Sequence, residues 1–183
     1  MFLFLFCTGS AQSNLVPNYS FEFYSSCPNN SGQLNYATPW INPTSWGSPD
    51  YFNSCSALLS VPNCTIGGDC YQYAHTGNAF AGLYTWGYSV PNGREYIQCQ
   101  TINTLINSKC YFVSFYVNLL NGSMYASNNL GAYISVNQIY SATSNPLLSY
   151  NAQILGYKNK IIKDTLSWKL ISGIYVAGGG EII

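Results

Sequence analysis

Lys109-Cys-Tyr-Phe-Val-Ser-Phe-Tyr-Val-Asn-Leu-Leu120 is the stretch on which the reading of the whole chain turns. Tyr111, Val113, Phe115, Val117 and Leu119 alternate in it with Phe112, Ser114, Tyr116, Asn118 and Leu120. Strand side chains point to opposite faces with period two, and β-branched and aromatic residues suit a pleated surface, so the spacing predicts a central strand. The first set is uniformly apolar and belongs to a core. The second mixes rings with polar groups, and whether that face is covered or wet is the functional question.

Working outward, Leu130 to Asn137 repeats the alternation, with Leu130, Ala132, Ile134 and Val136 inward and Tyr133 outward. Leu166 to Val176, which holds Trp168, is a further strand pattern, and a short strand is expected around Gln153 to Tyr157 in an otherwise looped region. Glu181-Ile182-Ile183 reads as the opening of one more strand. Upstream, Arg94 to Thr101 is expected as the neighbour of the central strand. Tyr71 to Tyr88 reads as two short strands about Thr76-Gly77-Asn78, with Ala79, Ala81 and Leu83 on one side and Gly82 admitting a close ring. Tyr51-Phe52-Asn53 is a brief strand, and Leu15 to Tyr24 an edge segment broken at Pro17. Residues 25–50 form a Pro-rich loop holding Trp40 and Trp46. No helical apolar spacing exceeds three turns, so the fold class is all-β, an antiparallel two-sheet sandwich with jelly-roll connections.

Only 7% of the 183 residues are charged against 16% aromatic, with 17 Tyr among them, which predicts a surface of amides and hydroxyls of the kind common outside cells. Formal net charge is zero and no basic cluster exists, so neither nucleic acid nor an acidic polymer is an expected partner. Met1 to Ala11 reads as the end of an export signal, an apolar run followed by small residues suited to cleavage before Gln12, and residues 12–183 as one domain that lacks its last strand. The run is too short to anchor in a membrane, because a spanning helix needs about 20 apolar residues. A secreted or outer-surface location follows. Past the signal, Cys27, Cys55, Cys64, Cys70, Cys99 and Cys110 are an even set in an exported chain, for which disulfides are the default and zinc, lacking any Cys-x-x-Cys pair, the alternative. Cys64 and Cys70 flank Gly67-Gly68 and suit a small local loop. Cys99 should point inward and Cys110 outward, so the two are not expected to pair with each other, which leaves open whether either is a free thiol.

Ser-Ser-Cys-Pro at 25–28, Pro-Asp-Tyr-Phe-Asn-Ser-Cys at 49–55, His-Thr-Gly-Asn-Ala-Phe-Ala-Gly at 75–82, Arg-Glu-Tyr-Ile-Gln at 94–98 and Cys-Tyr-Phe-Val-Ser-Phe-Tyr-Val at 110–117 together carry a resemblance. With the opening Asn14-Leu-Val-Pro-Asn-Tyr-Ser-Phe-Glu22, the chain resembles the galactose-binding-like jelly rolls that serve as carbohydrate-binding modules. More narrowly it resembles a module of secreted and cell-surface Bacteroidetes proteins that often precedes type IX secretion or gliding-motility C-terminal domains. The resemblance implies further domains in a longer chain. It also implies a Cys27–Cys55 bridge, worth about 3 to 4 kcal/mol through the unfolded state, and a structural calcium held in part by Glu22. Asp164-Thr165-Leu166 resembles the short O-glycosylation signal of such bacteria.

Reactive chemistry is thin. His75 is the single histidine and no Gly-x-Ser-x-Gly elbow presents a serine, while Glu22, Asp50, Asp69, Glu95, Asp164 and Glu181 share no recognisable context; Arg94-Glu95 reads as a local charge pair. The chain is read as no enzyme, with a hydrolase the weakest alternative. Sugar recognition suits the composition better, because apolar pyranose faces stack on rings while hydroxyls take amide partners. Phe112, Tyr116 and Tyr133 form a platform if their strands are neighbours, and Trp46, Trp86 and Tyr88 supply a binding edge from the loops. The competing expectation is that residues 25–50 cover these rings. The functional expectation is therefore a non-catalytic carbohydrate-binding or adhesion module for a polysaccharide or cell-surface glycan, with a structural or assembly module as the alternative.

Overall fold

The stretch Cys110–Val117 forms the eight-residue strand that its alternation predicts. The computed structural model describes residues 13–65, 70–87, 92–142, 147–156 and 160–182. Among them lie β1 (Asp50–Asn53), β2 (Asn63–Cys64), β3 (Cys70–Tyr71), β4 (Ala79–Gly82), β5 (Cys110–Val117), β6 (Gly131–Ala132), β7 (Ile154–Leu155) and β8 (Lys169–Val176), with one 3-10 turn at Leu34–Tyr36. The proposed signal segment and Tyr88 lie outside the described residues. No helix of the described residues is long and apolar enough to cross a membrane. The chain is all-β, and its strands pair antiparallel in twos, β1 with β4, β2 with β3, β5 with β8 and β6 with β7.

In the β5–β8 ladder Val113, Phe115 and Val117 turn inward onto Ile154, Ile162 and Ile171, joined by Leu130, Ala132 and Tyr175. Outward, Phe112 stands opposite Ile174, Ser114 opposite Ser172 and Tyr116 opposite Leu170. The β1–β4 ladder is buried on both sides. Phe52 stacks on Phe80 with centroids 4.7 Å apart, beside Leu59 and the Cys64 sulfur, and Gly82 leaves the room that the Phe52 ring occupies, since a Cβ there would come within 2.6 Å of it. On the opposite face Tyr51, fully buried, packs with Ala37 and Ala79 under Phe21, Tyr36 and Trp40. The long Pro-rich loop is thus a lid over Tyr51, fastened by the Cys27–Cys55 disulfide.

Several expected strands are replaced by side-chain amides. Residues 94–101 do not form a strand; Ile41 and Gln98 exchange one backbone pair, and the buried Gln98 amide donates to Ile139 O and accepts from Ile139 N. Strand β6 stops after two residues because the Gln153 amide takes the N–H and carbonyl of Ile134, and Val136, expected inward, is half exposed. Leu15 to Tyr24 is turned, not extended, with Asn18 and Phe21 at left-handed φ of 46° and 61° and the Asn18 amide bonded to Phe23 N, Phe23 O and Thr38 O. Leu83, expected beside Ala79, is exposed just past the end of β4. At Asn18, Gln98 and Gln153 one amide supplies both the donor and the acceptor that a neighbouring strand would otherwise give the backbone.

Cys64 and Cys70 are bonded across β2 and β3, as their flanking of the turn predicts. Cys99 is free and buried, and burial pushes its thiol up to about 12. Cys110 is not a free thiol: it is disulfide-bonded. Glu181 and Ile182 are stitched in by backbone bonds from Leu105 N to Glu181 O, from Thr101 N to Ile182 O and from Ile182 N to Ser135 O. The Glu181 carboxylate accepts from Gly178 N, Gly179 N and the Tyr175 hydroxyl at 2.6 to 2.8 Å. Burial alone would raise that carboxyl, but these donors outweigh it and hold it below the ordinary range.

Two outcomes follow from these contacts. Ile171→Ala, deleting the centre of the β5–β8 core, costs about 2 to 5 kcal/mol in urea unfolding, whereas Ile174→Ser on the outward face stays within about 0.5 kcal/mol. Glu181→Gln lowers the melting temperature at pH 7. Because the folded-state pKa is depressed, the stabilisation is present above the ordinary carboxylate range and lost on acidification, so wild type and variant converge as the pH falls below that range.

Candidate functional site

Tyr71-Gln72-Tyr73-Ala74-His75 leaves β3 in extended alternation. Gln72 is buried and Ala74 packs against the Phe52–Phe80 cluster, so Tyr71, Tyr73 and His75 are turned outward and are exposed. Trp168, at the entrance to β8, donates its indole N–H to Tyr73 O at 3.1 Å and sets its ring edge-on to both Phe80 and His75. His75 in turn stacks on Tyr116 of β5 with centroids 3.6 Å apart and an interplanar angle of 19°. Tyr71, Tyr73, Trp168, His75 and Tyr116 therefore make one continuous aromatic ridge. It is not flat, because Tyr71 and Tyr73 meet at 88°.

The lid does not cover this ridge. Its rings Tyr36 and Trp40 are committed to Tyr51, with the Trp40 indole N–H donating to Asn18 O. Phe112 is 66% exposed and Tyr116 44%, which answers the question posed by the outward face of β5: it is wet. Tyr133 is not part of the same platform. The partner of β5 is β8, and Tyr133, following β6, stacks on Tyr150 at 4.7 Å. Trp86 is exposed and packs at 4.5 Å on Tyr125, a second ring pair. Trp46 is half-buried in the lid, where its carbonyl accepts from Asn42 Nδ2 and Thr44 Oγ1. The ring positions missed by sequence reasoning are Tyr71, Tyr73, Tyr125 and Trp168; the period-two spacing of Tyr71, Tyr73 and His75 was the available signal for three members of the ridge.

Carboxylates serve as braces. Glu95 is not paired with its neighbour Arg94, whose Nε is buried without a partner; it accepts instead from Ser48 N and Tyr84 N, tying the lid to the exit of β4. Burial pushes the Glu95 carboxyl up and the nearby Asp50 charge adds to the shift, while Asp50, raised by its own burial, accepts from Gly32 N. Glu22 accepts from Asn78 N at 2.8 Å, so the residue that the resemblance assigns to calcium has an oxygen engaged with a peptide N–H. No group of three or more His, Cys, Asp or Glu suited to a metal ion occurs among the described residues. His75 has rings for neighbours, Tyr116 and Trp168.

Comparison of the chain with protein-family models, with curated proteins and with solved structures returned no match. The site is accordingly argued from its own geometry. Trp168→Phe keeps a ring against Phe80 but removes one of the two donors to the Tyr73 carbonyl, leaving Gln72 Nε2. The expected loss is about 1 kcal/mol in urea unfolding, and removal of the indole abolishes its share of the tryptophan emission.

Proposed function

We propose that the chain is a non-catalytic carbohydrate-binding or adhesion module of a secreted or cell-surface protein, built on a galactose-binding-like jelly roll. The observation that carries this reading is the uncovered ridge from Tyr71 to Tyr116. Rings held out of the core by the period-two burial of the segment leaving β3, and fixed by an indole hydrogen bond, present apolar faces at low conformational cost, which is what the C–H face of a pyranose requires. Disulfides at Cys27–Cys55 and Cys64–Cys70 accord with an oxidising, extracellular setting. The scarcity of charge favours a neutral glycan over an acidic one.

Differing ring tilts favour a soluble chain that twists along the ridge over a flat crystalline surface, which needs coplanar rings. A second reading, an assembly module, draws on Phe112, Ile174 and Val176, exposed apolar residues side by side on the β5–β8 face. Affinity electrophoresis through gels containing soluble neutral polysaccharides separates the two. Retention by at least one polymer is expected, falling about fivefold to tenfold in Tyr73→Ala/Tyr116→Ala. Absence of retention across the panel, combined with concentration-dependent dimerisation that Phe112→Ser abolishes, establishes the assembly reading in its place.

A further inference from the structure

At the Tyr71 end of the ridge, a cleft of about 390 Å³ is lined by Asn63, Cys64, Thr65, Cys70, Tyr71, Asn121 and Gly122. Its two walls are built differently. One is the β2–β3 hairpin, in which Asn63 stands directly opposite Tyr71 and the Cys64–Cys70 disulfide locks the next register position. The other is the turn that closes after β5, where Gly122 takes a left-handed φ of 88° and Ser123 N bonds back to Leu120 O. None of the described lining residues carries a formal charge. Asn63 and Asn121 each offer a carbonyl acceptor and an amide donor, Thr65 a hydroxyl and Tyr71 a ring with a hydroxyl. At the same end of β5, the Asn118 side chain has buried Oδ1 and Nδ2 atoms with no hydrogen-bond partner, so the polar groups there exceed what the protein itself satisfies.

We propose that this cleft is a subsite for one neutral saccharide unit at the end of the ridge, with Asn63 and Asn121 taking ring hydroxyls from opposite walls and Tyr71 the sugar face. This inference rests on the reading of the ridge as a glycan surface. The volume falls within the range of small-molecule sites, and the lining combines a ring with a few convergent polar groups, the pattern of sites that orient one ligand. Paired donors and acceptors suit hydroxyls, which are both. A carboxylate or phosphate would lose its hydration with no cation among the described lining residues to replace it, so uronic acids and sugar phosphates are discriminated against. The disulfide fixes the spacing of Asn63 and Tyr71 before any ligand arrives.

Saturation-transfer NMR on the full chain, with the methyl glycosides of glucose, galactose, mannose, N-acetylglucosamine and glucuronic acid as probes, tests this. Transfer to at least one neutral glycoside and none to the glucuronide is expected. Asn63→Ala and Tyr71→Ala, both exposed residues, reduce the signal at least fivefold, while Tyr140→Ala, an exposed ring outside both ridge and cleft, leaves it unchanged. If neutral polysaccharides retain the protein but no glycoside gives transfer, or if transfer survives both cleft substitutions, the subsite is wrong and the ridge reading stands. If neither polymer nor glycoside binds, both readings fall together.

Discussion

Uncharged amides, buried at Asn18 and Gln98 and exposed at Gln153, hold this molecule together where ladders would ordinarily do so. Asn18 ties Phe23 and Thr38 across the lid, Gln98 clasps both backbone groups of Ile139, and Gln153 clasps those of Ile134. A buried peptide group left without a partner costs on the order of a hydrogen bond's desolvation, about 1 to 3 kcal/mol, so short strands persist only if something else serves the segments between them. Amides do this without the far larger penalty of burying a charge. The low charge content of the chain and its richness in Asn and Gln are thus as much a property of its interior as of its surface.

The same economy explains why the ridge is outside. Strand β1 is covered on one face by the lid and on the other by the Phe52–Phe80 stack, which leaves no apolar surface to receive the alternate residues of the segment leaving β3. Gln72 and Ala74 take the inward places, and the rings between them must face out. Trp168 then performs two tasks: its ring completes the cluster beneath, and its N–H pins the strand above. The position of the ridge is therefore set by packing under it.

Strong two-fold alternation was legible. The strand at Cys110–Val117, its inward set, the strand ending at Val176, the brief strand at Tyr51 and the close ring at Gly82 all follow from local pattern. What was not legible depends on partners far away in sequence. Nothing local says that Gln98 and Gln153 substitute for neighbouring strands, because an amide in a polar stretch looks the same whether it meets water or a peptide group. Trp168 and Tyr73 are 95 residues apart, so their bond has no local signature. Tyr116 was recognised as outward, but its companion proved to be His75, which the sequence suggests only as a turn residue.

One covalent feature reaches beyond folding. The Cys27–Cys55 link encloses nearly the whole lid, with a sequence separation of 28, and residues 29–32 within it are exposed. A protease nicking between those two sulfurs would produce two chains on paper and one particle in practice, because the severed ends remain held on either side of Tyr51 and the Glu95 brace remains in place. Damage at that exposed stretch would then leave the aromatic surface standing, to be released only by a reductant.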